Sequence, residues 1–296
     1  MLWFLLALLG RSCYAGCNVI DAKNANHHFS SKFAIIFYTT CLISLFFIPF
    51  IAIYRPALPP VSLWGWFIIA GAFQVLYLFP YFQALKLADT SVVTNLFALG
   101  RVFVPILAFV LVKEHLTLQA YLGILIIFAA SFTGIFSPTQ RKLNLQAFGL
   151  MALSCLILSL STTIYKLTLA TQSWQTSYVS GGICALITLL VMAILPSNRK
   201  AISTDLPILN HAWKFIVGSS CLAFTANGLM LWAAQLAPVS FTAATSVLQP
   251  FMVLFFNTVL FWFGINPVKE SLSREAIVQK SSSFLLAAAG TALILF

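Results

Sequence analysis

Two arginines stand in the chain where charge is rarest. Arg11 interrupts the apolar run that opens the sequence, and Arg101 interrupts a second one, each near the middle of its run. An arginine at the centre of a membrane helix costs about 2.5–3.5 kcal/mol on insertion scales. Its guanidinium stays protonated, so it needs an acceptor: a carboxylate, backbone carbonyls, water or a bound anion. Asp21, Asp89, Glu114 and Glu270 all fall near the ends of apolar runs, so no counter-charge is expected at the depth of the arginines. The chemistry implied is bidentate capture of a carboxylate or phosphate carried by a small molecule. Two plainer roles stay open. Arg101 can clamp carbonyls freed by Pro105, and either arginine can snorkel to a surface.

Helical spacing groups further polar side chains with the arginines. Thr94, Ala98, Arg101 and Pro105 share one face of their run, and Arg11 shares a stripe with Ala15 and Asn18, with Tyr14 beside it. Gln74, Tyr77 and Tyr81 line up next to a kink expected at Pro80. Later runs offer Ser154, Ser161 and Tyr165, then Asn227 and Trp232, then Thr242, Ser246 and Gln249. Taken singly, the hydroxyls read as helix-packing groups and the aromatics as interfacial anchors. Together they describe the lining of a pathway. The expected substrate-binding set is Arg11, Tyr14, Asn18, Gln74, Tyr77, Tyr81, Thr94, Arg101, Tyr165, Trp232 and Gln249.

Catalytic constellations are absent from the sequence. His27-His28 has no carboxylate at useful spacing, and His115 and His211 stand alone near run ends. There is no phosphate-binding glycine loop and no nucleophile elbow, so neither ATP drive nor hydrolysis is expected. The cysteines, Cys13, Cys17, Cys41, Cys155, Cys184 and Cys221, lie in apolar stretches and read as small packing residues. The expectation is a protein that is not an enzyme and uses no metal and no cofactor.

The elements that must position these residues are set by composition. Hydrophobic residues make up 61% and charged residues 7%, with a mean hydropathy of +0.99. A soluble domain is about 25% charged, so lipid must be the outer solvent. The net charge of +10 is scattered between apolar runs, which argues against nucleic acid as partner. Ten apolar runs suit a bilayer core about 30 Å thick: 2–20, 33–54, 62–85, 90–112, 118–136, 146–168, 175–195, 212–235, 238–263 and 277–296. They are separated by polar or proline-bearing breaks such as Asp21 to Lys32 and Pro196 to Pro207. Strand-like alternation is missing, so the fold class expected is an all-α membrane protein of ten transmembrane helices. Met1 to Leu9 has no basic leader, and reads as a retained first span rather than a signal peptide.

The runs repeat. Ala84-Leu85-Lys86-Leu87-Ala88-Asp89-Thr90-Ser91 resembles Ala233-Ala234-Gln235-Leu236-Ala237-Pro238-Val239-Ser240, each leading into a long apolar run. Those runs close on Lys113-Glu114-His115-Leu116-Thr117 and Lys269-Glu270-Ser271-Leu272-Ser273. The repeat divides the chain into units 1–140 and 141–296, with the boundary near Arg141-Lys142. Five spans per unit turn the second copy upside down, the inverted layout of many secondary transporters around a central cavity.

With this order of motifs, the chain resembles the EamA-like branch of the drug/metabolite transporter superfamily. The resemblance rests on ten spans in two halves and the Ala-rich leads into the fourth and ninth. Pro105, Pro250, Glu114, Glu270, Gly123, Gly134 and Gly290 add to it. Gly10-Arg11 stands where an aromatic-glycine pair is common in such proteins, and Asp89 where Pro or Ser is common. The resemblance implies a multi-pass protein of a bacterial inner membrane, monomeric or homodimeric, that moves a small organic metabolite by alternating access. An anionic substrate is the first expectation, an amino-acid (zwitterion) exporter the second, and a flippase of lipid-linked substrates the third. Sidedness is divided. Basic residues favour the connections after spans 1, 3, 5, 7 and 9, which puts both termini outside; the resemblance implies both inside.

Overall fold

The structure, a computed structural model, describes residues 1–88, 93, 96–135, 145–249, 251–253, 255–256 and isolated positions from 282 to 293. Asp89, Thr94, Pro250, Glu270, the boundary at Arg141-Lys142 and most of the run 277–296 lie outside the described residues. Every regular element among the described residues is helical. We number them α1 (Leu2–Lys23), α2 (Lys32–Tyr54), α3 (Trp64–Leu76), α4 (Leu78–Leu87), α5 (Gly100–Leu107), α6 (Leu118–Ile135), α7 (Leu145–Leu169), α8 (Trp174–Ala193), α9 (Pro196–Leu236) and α10 (Val239–Ala244).

Six stretches among the described residues are long and apolar enough to cross a membrane: Leu2–Asn26, Lys32–Tyr54, Val61–Leu87, Leu145–Leu169, Trp174–Ala193 and Pro196–Leu236. Shorter apolar helices run over Gly100–Val112 and Val239–Val253. The protein is an integral, multi-pass membrane protein. Its surface is the inverse of a soluble one. Ile48 and Ile53 are 66% and 74% exposed, while Ser154, Thr163 and Asp205 are fully buried. Polar groups have gone inside, where partners exist, and branched apolar groups face outward.

Two helices run past the expected breaks. The apolar run that thins out at Asp21 remains helical to Lys23 and continues as a wider turn over Asn24–His28. The segment from Pro196 to Pro207, read as a connection, is the first part of the 41-residue α9. Pro196 sits in its first turn, where a missing N–H costs nothing, and Pro207 is carried inside. At the place where a kink is expected from Pro80, the helix is interrupted: α3 stops at Leu76 and α4 begins at Leu78, because Pro80 cannot donate to the Leu76 carbonyl.

The two halves interleave. α1 packs along α9 more extensively than any other pair of helices, and α2 also packs on α9; α3 lies against α7 and α8. Gly71 permits the last of these crossings. A Cβ there would stand 2.7 Å from both the Gly181 carbonyl oxygen and the Ala185 nitrogen. Small residues at such crossings let backbones meet, which replaces the hydrophobic drive that lipid cannot supply.

Connections sort onto two faces. On one, Lys86 donates to the Ser30 carbonyl (3.0 Å), and Ser30 Oγ and Ser31 N donate to the Asp205 carboxylate (2.6 and 2.9 Å). These residues follow spans 1, 3 and 7. On the other, the Glu114 carboxylate accepts from Val239 N (3.0 Å) and Ser240 N (3.2 Å), capping α10. Lys166 Nζ donates there to the Ala234 and Ala237 carbonyls (2.6 and 2.7 Å), which end α9. Asp205 and Ala234 stand 29 residues apart on the single helix α9, so the two clusters lie at opposite ends of it.

Gly71→Ala is expected to force α3 and α8 apart and to lower stability by about 1–3 kcal/mol, read as an earlier thermal unfolding transition of the detergent-solubilised protein.

Candidate functional site

A cavity of about 230 Å³ lies between the halves, lined by α1, α2, α3, α4, α5, α7, α8, α9 and α10. The face that α1 gives it carries Arg11, Tyr14, Cys17, Asn18 and Asp21. Ala15, expected on the stripe, is instead packed with Val19 and Val253. Of the other expected residues, Gln74, Tyr77, Tyr81, Tyr165 and Gln249 also line the cavity.

The arginines converge on one segment, residues 242–249. There Thr242 Oγ1 donates to the Val239 carbonyl (2.8 Å), Thr245 Oγ1 to Thr242 (2.7 Å) and Ser246 Oγ to Ala243 (2.7 Å). Hydroxyls bonded three residues back compete with the helical ladder, and the backbone tightens to a 3₁₀ turn over Thr245–Leu248. Having spent their protons on the backbone, these oxygens can only accept. Arg11 Nε donates to Thr245 Oγ1 (3.4 Å), Nη1 to Gln249 Oε1 (3.4 Å) and Nη2 to the Thr242 carbonyl (3.2 Å). Its guanidinium also lies 5.9 Å from the centre of the Tyr14 ring.

Arg101 is 2% exposed and lies behind that segment rather than on the cavity wall. Its Nε donates to Ser246 Oγ (2.9 Å), while Nη1 is buried without a partner among the described residues. Neither arginine has a carboxylate partner among the described residues. Arg11's contacts are all longer than the 2.7–2.9 Å or so of a charge-assisted hydrogen bond.

A polar network ties the halves across the cavity. Tyr14 Oη donates to Asn227 Oδ1 (2.7 Å), Gln74 Nε2 donates to the same oxygen (3.2 Å), and Tyr165 Oη donates to Gln74 Oε1 (2.9 Å). At the α4 side, Tyr81 Oη donates to Asn18 Oδ1 (3.0 Å). Ser154 and Ser161 are occupied with the Tyr77 and Ala70 carbonyls (both 2.9 Å). Trp232 does not reach the cavity lining. It stacks on Trp174 with ring centres 5.3 Å apart and planes 8° from parallel.

Asp21 departs from the sequence expectation. It is 7% exposed and lines the cavity, so a buried carboxylate does exist in the spanning region. Its spacing from Arg11, through Tyr14 and Asn18, is 3, 4 and 3 residues, the repeat of one helix face. That periodicity was the available signal. Counting apolar residues placed Asp21 at a span end because the helix runs on through polar sequence.

Comparison with known proteins bears on this arrangement. Residues 1–135 match the EamA-like transporter family, which belongs to the drug/metabolite transporter superfamily and consists of membrane transporters of small molecules. A solved crystal structure of a protein is similar over 98% of this chain and 98% of its own, with a TM-score of 0.67 at 15% identity, a likeness of fold alone. No curated protein matches the chain.

Asn227→Ala would strand the Tyr14 hydroxyl and the Gln74 amide. It should cost about 1–3 kcal/mol in thermal or denaturant unfolding. Added to Tyr14→Phe, it should cost less than the sum of the two single changes.

Proposed function

We propose that this chain, an EamA-like protein of the drug/metabolite transporter superfamily over residues 1–135, is a secondary carrier for a small organic metabolite bearing a carboxylate or phosphate. The observation that carries this reading is a cavity with the Arg11 guanidinium on its wall and, among the described residues, no carboxylate bonded to it. Arg11 is held by long contacts to neutral oxygens. A bound oxyanion would offer it shorter, charge-assisted bonds. Arg101, one layer behind with an unpartnered nitrogen, adds positive potential to the same end. The cavity volume of about 230 Å³ falls just below the range of ligand pockets, about 300 to 1,000 Å³. That favours a metabolite over a lipid.

In this reading Arg11 takes the anion and Gln249 yields to it. Tyr14, Asn18, Gln74, Tyr77, Tyr81 and Tyr165 surround the organic part. The direct role foreseen for Arg101 becomes a supporting one, and Thr94 remains a candidate.

Alternating access between inverted units 1–140 and 141–296, of five spans each, is part of the proposal. Packing supports it. An inversion exchanging the units pairs α1 with α7, α2 with α8, and α3 and α4 with α9. It thereby turns the α1–α9 and α2–α9 contacts into the α7–α3 and α8–α3 contacts that are also present. The 3₁₀ turns over Phe97–Leu99 and Thr245–Leu248 fall at matching places in the two repeats. A unit used in both orientations gives two states of similar energy, open to opposite sides.

The test is uptake or exchange of labelled carboxylates and phosphates by the protein in liposomes. Saturable transport of at least one is expected; none for any anionic or zwitterionic compound would defeat the reading. Arg11→Ala should insert normally and lose about 10- to 100-fold in apparent affinity, the value of one or two charged hydrogen bonds. Arg11→Lys should recover part of it, a point charge replacing a fork. Arg101→Ala should also impair transport, and full activity in that variant would make Arg101 purely structural.

A further inference from the structure

Arg11 and Asp21 lie on the same face of α1, ten residues apart, which at 1.5 Å per residue is about 15 Å. The anion-binding reading uses only the first. Asp21 is the cavity's other charge, and its surroundings differ in kind. Ser219 Oγ donates to its Oδ1 (2.6 Å), and Cys17 Sγ donates to its Oδ2 (3.4 Å). These are its partners among the described residues, and neither is a cation.

The titratable groups around it are known. On its own helix Cys17 is bonded to it, and Lys23, two residues on, points its Nζ at the Phe215 ring, 4.2 Å from the centre. His28, on the turn that follows, stacks on the same ring at 5.2 Å. From the α3–α4 side come the hydroxyls of Tyr77 and Tyr81, the latter committed to Asn18 Oδ1. On α9, His211 lies two turns before Ser219, and Lys214 Nζ is 5.9 Å from the centre of its neighbour Trp213.

What is scarce beside Asp21 is acceptors. Ser219 and Cys17 donate to the carboxylate, while Tyr81 spends its proton on Asn18 Oδ1. Asn18, one turn away and also on the cavity wall, buries an amide nitrogen with no partner among the described residues. A sodium ion needs several oxygens around it, and an ammonium needs about three acceptors. Beside the carboxylate, the described residues bonded to it or to Cys17 supply only the Ser219 oxygens, its carbonyl 3.8 Å and its hydroxyl 3.3 Å from Cys17 Sγ. A proton needs a single oxygen. It can join Oδ2, where the O–H finds Cys17 sulfur, while Ser219 continues to donate to Oδ1. Both charge states of the carboxyl then keep their hydrogen bonds without any movement of the backbone.

We propose that Asp21 is a proton-binding site of the cavity, taking a proton from the water of whichever side the cavity faces and returning it to the other. An O–H bond forms at the carboxylate on one side and breaks on the other, with no change in oxidation state. If the chain is the carrier described above, on which this coupling role rests, the proton travels linked to the organic anion. The proton site itself does not depend on that reading.

The test reads the carboxyl directly. The full chain in liposomes is taken from acid to alkaline buffer while infrared difference spectra follow the C=O stretch of protonated carboxyl. With six Asp and Glu in the chain, a single replacement removes a resolvable share of the signal. The wild type should lose a protonated-carboxyl band as pH rises, Asp21→Asn should lack that band, and Asp205→Asn should keep it. An unchanged band in Asp21→Asn overturns the proposal. So does a band that vanishes at constant pH on adding sodium or methylammonium chloride but not potassium chloride, because the site would then hold a cation or an amine. Should Asp21→Asn fail to fold, Ser219→Ala must displace the band and its titration midpoint, and no displacement also overturns the proposal. A chain that moves no anion in the liposome screen would leave the band in place, so the two readings fail separately.

Discussion

A guanidinium held on the cavity wall, with no carboxylate bonded to it among the described residues, is the constraint around which this protein is organised. Taking an arginine out of water is costly, and the usual remedy is an acidic side chain at the same depth. This chain instead surrounds Arg11 with oxygens that are neutral and slightly too far away. The arrangement holds the side chain in place while leaving most of its electrostatic demand unmet. A closer carboxylate would have stabilised the empty cavity and competed with any anion entering it.

The helices can be understood as the means of presenting that one group. α1 carries Arg11 into the bundle by packing along α9. The segment 242–249 turns its hydroxyl protons back on its own carbonyls, so that only lone pairs face the arginines. That segment is anchored by two charged side chains, Glu114 from the first half of the sequence and Lys166 from the second. Glu114 caps the first N–H groups of α10, and Lys166 closes the carbonyls left open at the end of α9. The end of one helix and the start of the next leave backbone groups without partners, and here a carboxylate and an ammonium supply them. The same two charges tie the segment after Val112 and α7 to the junction between α9 and α10.

Much of this was legible in the sequence, and the reasons are specific. Arg11 and Arg101 stood out because any charge in a run of leucine and phenylalanine does. Gln74, Tyr77, Tyr81 and Tyr165 followed from helical period and the Pro80 kink, and the cavity receives them all. Sequence reasoning was weakest where a side chain had two apolar choices. Trp232 lies near the cavity in sequence terms but stacks on Trp174, and nothing in its own neighbours announces a partner 58 positions away. Arg101 was legible as buried but not as second in line, since Ser246 intervenes through a contact between halves. Asp21 was legible as lying near the end of its span, and it sits in the last turn of α1, which ends at Lys23. Its burial on the cavity wall was not, because that comes from α9, whose Ser219 packs against it.

The central claim is that Arg11 is the seat of an anion. Its most direct test is a structure of the full chain with the carboxylate or phosphate compound that best raises its thermal stability. The expected result is an anionic oxygen at about 2.7–2.9 Å from the Arg11 guanidinium, with Gln249 displaced from it. A ligand bound elsewhere, with Arg11 still resting on Thr245 and Gln249, would contradict it.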